Sequence, residues 1–422
     1  MRRTSPMPLA ALALTSWLAM LAGCSSDAAL PPATPLATTP PVVRVDDGIL
    51  RIGVLTPQGS ANADIGEAIG TAVGLAVRKI NDAGGYNGHP VELKPVDEGV
   101  AGVGVDPAIA TLLDAGVDAI VGPASSANAL SGLGEIVDAG VVACSPTASA
   151  SLLDDFPDRN LFFRTIASDS LQAVAIAEAV DRTGANRATV AYIDDAYGQS
   201  LADLVEEALR SKNIAQTDPF PYSADNTSID AAATAVAAAS AGAVVVIGDA
   251  TSGPVMLRAI DAAEPTVQLQ YVVNDPMRRP AASAEPMGGS LASRVKGVSP
   301  VAYSTNDEFL FELGDASDNP SPFAANAFDC VNLIALAALA SNSTQPVEIA
   351  AQIPAVSASG SPCTSFADCR DDIEAGSNIN YDGPGGNLTI GSDGDLSSAV
   401  FELFGFDDDG RDIHDDFLRT PG

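Results

Sequence analysis

Two adjacent serines, Ser125 and Ser126, follow the apolar segment 119–122 and precede a predicted helix. Backbone N–H groups at the start of a helix point outward, and the helix dipole favours an anion there. A serine hydroxyl adds one donor. The pattern therefore favours an anionic or carbonyl group of a small molecule. The competing interpretation is that these hydroxyls only cap the helix, and the two roles are compatible.

Residues that could carry catalysis or hold a metal are sparse. Only two histidines are present, His89 and His414; they lie far from the serine-rich loops and lack a Cys-x-x-Cys neighbour. A catalytic triad and a zinc site are therefore not expected. The acidic runs at 393–395 and 407–409 lack the spacing of a calcium loop, and 383–386 lacks the Lys-Ser/Thr of a phosphate loop. We predict no metal, no cofactor and no enzymatic activity.

Residues 1–23 predict an export signal. Arg2 and Arg3 precede the run Leu9–Ala22, which is too short to span a bilayer as a mature helix. The run ends in Leu-Ala-Gly-Cys at 21–24, which resembles the lipobox of bacterial lipoproteins, in which the cysteine is acylated. We expect lipidation of Cys24 and an extracytoplasmic chain held at the cell membrane. An ordinary signal peptide with an incidental cysteine is the alternative.

The segment 24–45 is rich in Pro, Thr and Ala, a composition that favours extended conformations over a packed core. It predicts a tether between the membrane and a folded body. An oxidising compartment permits disulfides. Cys363 and Cys369 flank five residues and are predicted to close a small loop. Cys144 and Cys330 form either a second bridge or two buried thiols.

Composition bounds the class of protein. Of 422 residues, 46% are hydrophobic, which is enough for a large core and excludes a wholly disordered chain. Asp and Glu number 54 against 21 Lys and Arg, so the formal net charge is −33. Phosphates would be repelled, which excludes nucleic acid as an electrostatic partner.

From residue 50 onward, predicted strands and helices alternate about every 30 residues. The segments at 50–55, 91–96, 119–122 and 141–143 are predicted strands, and a second series follows at 188–193, 243–247 and 270–273. This alternation is typical of right-handed βαβ units and parallel sheets. The number of strands favours two doubly wound α/β lobes over one sheet. The run 407–410 is predicted to be a hairpin turn between 399–406 and 413–418.

Five motifs lie at the ends of these elements, and together, in this order along the chain, they resemble those of a known protein family. They are Ala76 to Gly88, Gly122-Pro-Ala-Ser-Ser126, Cys144-Ser-Pro-Thr-Ala-Ser149, Leu161-Phe-Phe-Arg-Thr165 and Asp194-Asp-Ala-Tyr-Gly-Gln199. The chain resembles the leucine/isoleucine/valine-binding family of periplasmic-binding-protein-type-I substrate-binding proteins over about residues 48–415.

The resemblance implies two parallel-sheet α/β lobes joined by three crossover strands, which close on a ligand as a Venus-flytrap. Hinge closure of this kind is the behaviour described in general for periplasmic binding proteins. The first lobe would comprise 48–166 and 302–388, and the second 167–301 and 389–422. The function implied is capture of a solute by a monomer and its delivery to an ABC transporter permease. The alternative is a sensing domain that signals to a separate membrane receptor.

The resemblance also implies a set of ligand-binding residues. Ser125 and Ser126, of which Ser125 aligns best, match the family's first carboxylate-binding loop, and Thr147 and Ser149 match the next. Tyr197 matches a position close to the mouth of the pocket. Asp275 matches an acidic position that holds an ammonium. Asp249 stands where the family usually has an aromatic residue, and Ile65 where Tyr or Trp is common. Asp249 would bind the ligand or only cap the following turn. An amino acid or amide is the expected ligand.

Overall fold

The computed structural model describes residues 46–59, 63–225, 227–239, 241–263, 265–278, 289–301, 304, 306–314 and 323–420. Residues 41–422 form one compact unit. The predicted export signal, the predicted lipidation site Cys24 and the predicted tether lie outside the described residues.

Strands and helices alternate through this unit. The strands are β1 Arg51–Thr56, β2 Glu92–Asp97, β3 Ala119–Val121, β4 Val142–Ser145, β5 Phe162–Arg164, β6 Arg187–Ile193, β7 Ala215–Gln216, β8 Phe220–Tyr222, β9 Ala243–Ile247, β10 Gln270–Val273, β11 Val295–Pro300, β12 Ser361–Cys363, β13 Ile379–Tyr381, β14 Ala399–Phe406 and β15 Asp412–Thr420. The helices are α1 Ala63–Asp82, α2 Asp106–Asp114, α3 Ser126–Asp138, α4 Asp169–Arg182, α5 Ala196–Ser211, α6 Ile229–Ala238, α7 Ser252–Ala262, α8 Asp307–Leu313, α9 Ala324–Ser341, α10 Pro346–Ala358 and α11 Phe366–Glu374.

The first sheet has five parallel strands in the order β2-β1-β3-β4-β5. Its inner strands β1, β3 and β4 are mostly buried because helices cover the sheet, whereas the edge strand β2 is largely polar and partly exposed. The helix α9 is buried in the same core and packs against α1 and α10. By length and composition α9 could cross a membrane, but 83% of it is buried inside this lobe. It is therefore explained as a core helix.

The second sheet runs β15-β14-β11-β10-β9-β6-β7, with β8 also paired to β6. Strands β6 to β11 pair in parallel, whereas β14 and β15 are antiparallel. This confirms the predicted hairpin, but the second sheet is mixed and not purely parallel as predicted. The reason lies in the connection: the chain enters β14 from the first lobe, so this strand runs against β11. Two further clusters of buried residues cover the faces of this sheet.

Three segments connect the lobes, after β5, after β11 and before β14. Parallel sheets collect their functional residues beyond the carboxyl ends of the strands. The loop after β3 illustrates the local constraint, because Gly122 has φ +118° and a Cβ there would lie 2.2 Å from the Leu55 carbonyl oxygen. Only glycine permits this close approach, which directs the chain into the serine pair.

Candidate functional site

Ser125 is the N-cap of α3. Its Oγ accepts a hydrogen bond from the Asn128 N–H at 3.0 Å. Its own N–H donates to Glu98 Oε1 at 3.2 Å, and the Ala124 N–H donates to Glu98 Oε2 at 2.7 Å. The helix cap considered as the alternative to ligand binding is therefore present. It uses a lone pair of the hydroxyl oxygen as the acceptor.

Glu98 is a carboxylate that sequence reasoning missed, and it stands where an external anion was expected. It follows β2 and is 2% exposed. Burial raises the pKa of Glu98 to about 7, and the two backbone N–H groups oppose that shift. Because this side chain already accepts from the Ala124 and Ser125 N–H groups, a ligand at α3 would have to use other donors. Ser126 offers one, since its Oγ accepts from the Ala150 N–H at 3.2 Å and keeps its proton free to donate.

The loop after β4 is tied to the loop after β3. The Ser145 hydroxyl donates to the Pro123 carbonyl at 2.7 Å, and the Thr147 hydroxyl donates to the Ala124 carbonyl at 2.6 Å. The Thr147 hydroxyl thus faces the serine loop, and its oxygen can still accept a hydrogen bond. Ser149 hydrogen-bonds instead to the carboxyl group of Asp169 in the second lobe.

Two acidic side chains of the second lobe lie near one another. Asp169 occupies the first turn of α4 and is 4% exposed; Asp275 directly follows the loop residue after β10. Burial, and then the negative charge of Asp275, raise the pKa of Asp169 to about 7. Burial also raises the pKa of Asp275. Desolvation and the neighbouring like charge both disfavour ionisation, so placing a negative charge on this pair costs free energy.

Neutral donors stabilise the acidic pair. Gln172 Nε2 donates to Asp275 Oδ1 at 2.8 Å and also to the Val298 carbonyl at 3.1 Å. The hydroxyl of the half-buried Tyr197 accepts from Asn274 Nδ2 at 3.0 Å. Burial, followed by the charges of Asp275 and Asp169, raises the pKa of Tyr197 well above its usual range. Tyr197 is therefore neutral and can donate its proton to a ligand or to the pair.

Asp249 caps the turn that begins α7. Its Oδ1 accepts from the N–H groups of Thr251 and Ser252 at 2.7 and 2.5 Å, and from the Ser252 hydroxyl at 3.0 Å. The alternative role considered for this residue is therefore observed. A ligand contact would have to use its second oxygen.

Arg164 ends β5 and is fully buried, yet it does not point to a ligand. Its Nε donates to Asp395 Oδ1 at 2.6 Å and its Nη2 to Asp154 Oδ1 at 2.6 Å. Asp395 lies on the third connecting segment, so one guanidinium joins two of the connections. The Asp393-Gly-Asp395 run serves this ion pair.

The structure thus links Ser149, Asp169, Asp275 and Tyr197 in one polar network, with Ser125, Ser126 and Thr147 in the two loops beside it. Sequence reasoning missed Glu98, Asp169, Gln172 and Asn274. One signal was available: Asp169 and Gln172 stand three residues apart in an alanine-rich helix and so share a face. The buried environment of Glu98 had no local signal.

Both candidate disulfides are present. Cys363–Cys369 closes the short loop as predicted, and Cys144–Cys330 joins β4 to α9, which settles the open alternative. The Cys330 Sγ lies 3.4 Å from the Thr165 hydroxyl, which also donates to the Asn326 carbonyl at 2.9 Å. The bridge therefore fastens β4, which leads into the Thr147 loop, to α9. The hydrogen bonds of Thr165 attach the start of the first connection to the same helix.

Comparison with known proteins agrees with this architecture. The family model described as periplasmic binding protein matches residues 49–389. The chemotactic signal transduction substrate-binding protein BasB of Halobacterium salinarum is 29% identical over 359 residues, covering 82% of each chain. The Leu/Ile/Val-binding protein homolog 3 of Brucella melitensis is 27% identical, covering 85% of this chain and 92% of its own.

Solved structures show the same fold. The substrate-binding protein LivJ of Streptococcus pneumoniae, in complex with isoleucine, has a TM-score of 0.64 at 19% identity and covers 89% of this chain and all of its own. The leucine-binding protein LivK of Thermotoga maritima has a TM-score of 0.68 at 15% identity, over 87% of this chain and 98% of its own. Because the family model spans most of the chain and both lobes adopt the corresponding type I fold, this chain belongs to the periplasmic binding protein family.

Proposed function

We propose that this chain is an extracytoplasmic solute-binding protein that captures a small polar ligand between its lobes and passes it to an ABC transporter permease. An amino acid or an amide fits the site best. The observation that carries this proposal is the opposed chemistry of the two sides. Hydroxyl groups at Ser126 and Ser149 lie in the first lobe, and the Asp169–Asp275 pair lies in the second.

The acidic pair defines what the ligand must supply. A second carboxylate beside Asp275 raises the free-energy cost of its charge, and a cationic or N–H donor placed there would lower it. A charge-assisted hydrogen bond is stronger than a neutral one. The ligand's ammonium or amide N–H groups would thus face Asp275, with Tyr197 beside it. Its carboxylate or carbonyl would face the hydroxyl of Ser126, with Ser125, Thr147, Ser149 and Asp249 as outer contacts.

Similar proteins support an amino acid and leave its side chain open. LivJ is described with isoleucine and LivK as leucine-binding. In this chain, however, Asp249 stands near the expected ligand where the family usually has an aromatic residue. Glu98 adds a further carboxyl group behind α3. A polar side chain, or an amide without one, suits these surroundings better than a branched apolar side chain does.

The organisation of the chain follows from the same proposal. Lipidated Cys24 would hold a monomer at the membrane through the tether of residues 24–45. The first lobe would comprise 48–166 and 302–388, and the second 167–301 and 389–422. Cys24→Ala expressed in the native host should leave the membrane fraction. A variant that stays there like the natural protein would contradict the lipid anchor.

Sensing is the second candidate function. BasB is described as part of a chemotactic signal transduction system. Deleting the gene would separate the two functions, because loss of ligand uptake favours transport, whereas loss of the chemotactic response with normal uptake favours sensing.

A thermal-shift panel of amino acids, amides, urea and sugars tests the capture of a ligand. A ligand that binds only the folded state raises the melting temperature in proportion to its concentration over Kd. We expect a shift with an amino acid or amide, retained in the control Asp230→Asn, which changes an exposed carboxylate of α6. If only sugars, or none of these compounds, shift the transition, the proposed ligand class is wrong.

A further inference from the structure

A cavity of about 400 Å³ lies where the three connecting segments meet. Residues 165–167, 300–301, 396 and 398–400 of those segments form its walls, together with the turn 384–387 and residues of α9 and β15. None of the residues proposed for the ligand cleft lines it. Its volume falls in the range of small-molecule sites, roughly 300–1,000 Å³.

The charge of this hinge cavity differs from that of the chain. About one residue in eight is acidic, so two would be expected among the 17 described residues that line the cavity, yet none is Asp or Glu. A second cavity of about 340 Å³ on the first lobe has Glu308, Glu312 and Asp368 in its lining. The hinge cavity is therefore depleted of negative charge in a molecule that otherwise repels anions.

Arg419 gives the cavity a positive group. It lies on β15 opposite Val400 and two residues from Phe417, so the guanidinium and the aromatic ring share one face of the strand. Within the described part of the chain, no carboxylate lies within ion-pair distance of Arg419. A guanidinium presents a planar pair of donors that matches a carboxylate.

A buried carboxyl group behind the turn does not cancel this charge. Asp329 accepts from the Tyr381 hydroxyl and from the Gly385 N–H, both at 2.8 Å. Burial raises the pKa of Asp329 to about 8, so the group is mostly protonated at neutral pH. The remaining walls include the apolar side chains of Ile166, Val301 and Leu396.

We propose that the hinge cavity is a second binding site, which takes a small amphipathic carboxylate. Its charged end meets Arg419 and its apolar body packs against Ile166, Val301 and Leu396. An occupant touches all three connections, the parts of the molecule that must bend when the lobes close. It therefore changes the affinity of the cleft, and by linkage the cleft ligand changes the affinity of the cavity. This coupling rests on the proposed function, whereas binding to the cavity does not.

Titration calorimetry with benzoate and its uncharged isostere benzamide tests the site. We expect millimolar or tighter binding of benzoate, weaker binding of benzamide, and a loss of at least about fivefold for benzoate in Arg419→Gln. Leu396→Trp, which fills the cavity, should also abolish binding. Arg78→Gln removes the same charge from an exposed position on α1 and should bind benzoate normally.

The cleft variant Asp275→Asn separates this proposal from the proposed function. It should lose the amino acid or amide ligand and keep benzoate. The hinge site is refuted if benzoate fails to bind at millimolar concentrations, if folded Arg419→Gln and Leu396→Trp bind it as tightly as the natural protein, or if Asp275→Asn abolishes its binding. Equal cleft affinity with and without saturating benzoate would refute the coupling.

Discussion

The two sides of the cleft satisfy their polar groups differently. In the first lobe, the buried carboxylate of Glu98 receives two backbone N–H groups, and the serine and threonine hydroxyls bond to neighbouring loops. In the second lobe, Ser149 hydrogen-bonds to Asp169, Gln172 donates to Asp275, and the negative charge of Asp275 raises the pKa of Asp169. On the first side Ser126 keeps a free hydroxyl proton, whereas on the second side the negative charge of Asp275 raises the free-energy cost of ionising Asp169. A ligand should therefore gain most of its specificity from the second lobe.

The lobes also differ in covalent support. Both disulfides join residues of the first sheet's core, and β6 to β11 contain no cysteine. A cross-linked half facing a half with two neighbouring carboxyl groups suits a protein in which the second lobe moves onto a ligand bound to the first. The predictions below test this contrast, from the largest expected effect to the smallest.

Removing the Cys144–Cys330 bridge should destabilise the first lobe most. It closes a loop across 186 residues, for which the chain-entropy model gives about 5 kcal/mol, against about 2 kcal/mol for the six-residue separation of Cys363 and Cys369. Urea unfolding of Cys144→Ala/Cys330→Ala and of Cys363→Ala/Cys369→Ala should show that order. Equal losses would mean that cross-linking does not set the stability of this lobe.

Arg164→Ala should rank next, because it leaves the carboxylates of Asp154 and Asp395 without their common partner. Breaking a buried ion pair on one side costs about 3–5 kcal/mol. The loss should appear in chemical unfolding, and Arg159→Ala, an exposed pair with Asp138, serves as the control with little effect. A mild result for Arg164→Ala would show that the two connections are held together by other contacts.

The pH dependence of stability should report the acidic pair. The pKa of Asp169 is raised above its unfolded value, so the folded state binds the proton more tightly; its stabilising contribution is complete below about pH 4 and is lost as pH rises to about 7. Burial also raises the pKa of Glu98, so its contribution to stability is lost in the same direction of pH. In Asp169→Asn, the ligand-free melting temperature should fall less between pH 5 and 7. An unchanged slope would exclude Asp169 as a source of this dependence.

Ser125→Ala should have the smallest effect and act on folding more than on binding. It removes the cap of α3, a loss of about 1 kcal/mol of stability. Its effect on ligand affinity should not exceed one neutral hydrogen bond, about 0.5–1.5 kcal/mol. Calorimetry and urea unfolding of the same sample would compare the two quantities. A loss of affinity beyond that range would make Ser125 a direct ligand contact.

Much of the scaffold could be predicted from the sequence, because it depends on local patterns. Apolar runs mark the strands, the Asp-rich run 407–410 marks the hairpin, and the spacing of Cys363 and Cys369 marks the short bridge. The antiparallel pairing of β14 with β11 could not be predicted, since it depends on the direction from which the chain re-enters the second lobe.

The site was predictable only in part. The strand ends follow from order along the chain, and the role predicted for Asp275 comes from the resemblance to the family. The partners do not follow from order along the chain, because they come from distant segments: Arg164 and Asp395 are 231 residues apart, and Gln172 and Asp275 are 103 apart. Whether a serine caps a helix or faces a ligand is decided by such partners, which is why alignment favoured Ser125 although Ser125 caps α3 and Ser126 keeps a free hydroxyl proton.

The central claim is that the second lobe supplies the decisive charge at Asp275. Titration calorimetry of Asp275→Ala with the best ligand of the thermal-shift panel tests it most directly, with Asp230→Ala as the matched control. Affinity should fall at least about tenfold, roughly 1.4 kcal/mol, in the first variant and stay unchanged in the second. If Asp275→Ala binds as tightly as the natural protein, no ammonium or amide group faces this carboxylate and the account of the cleft is wrong.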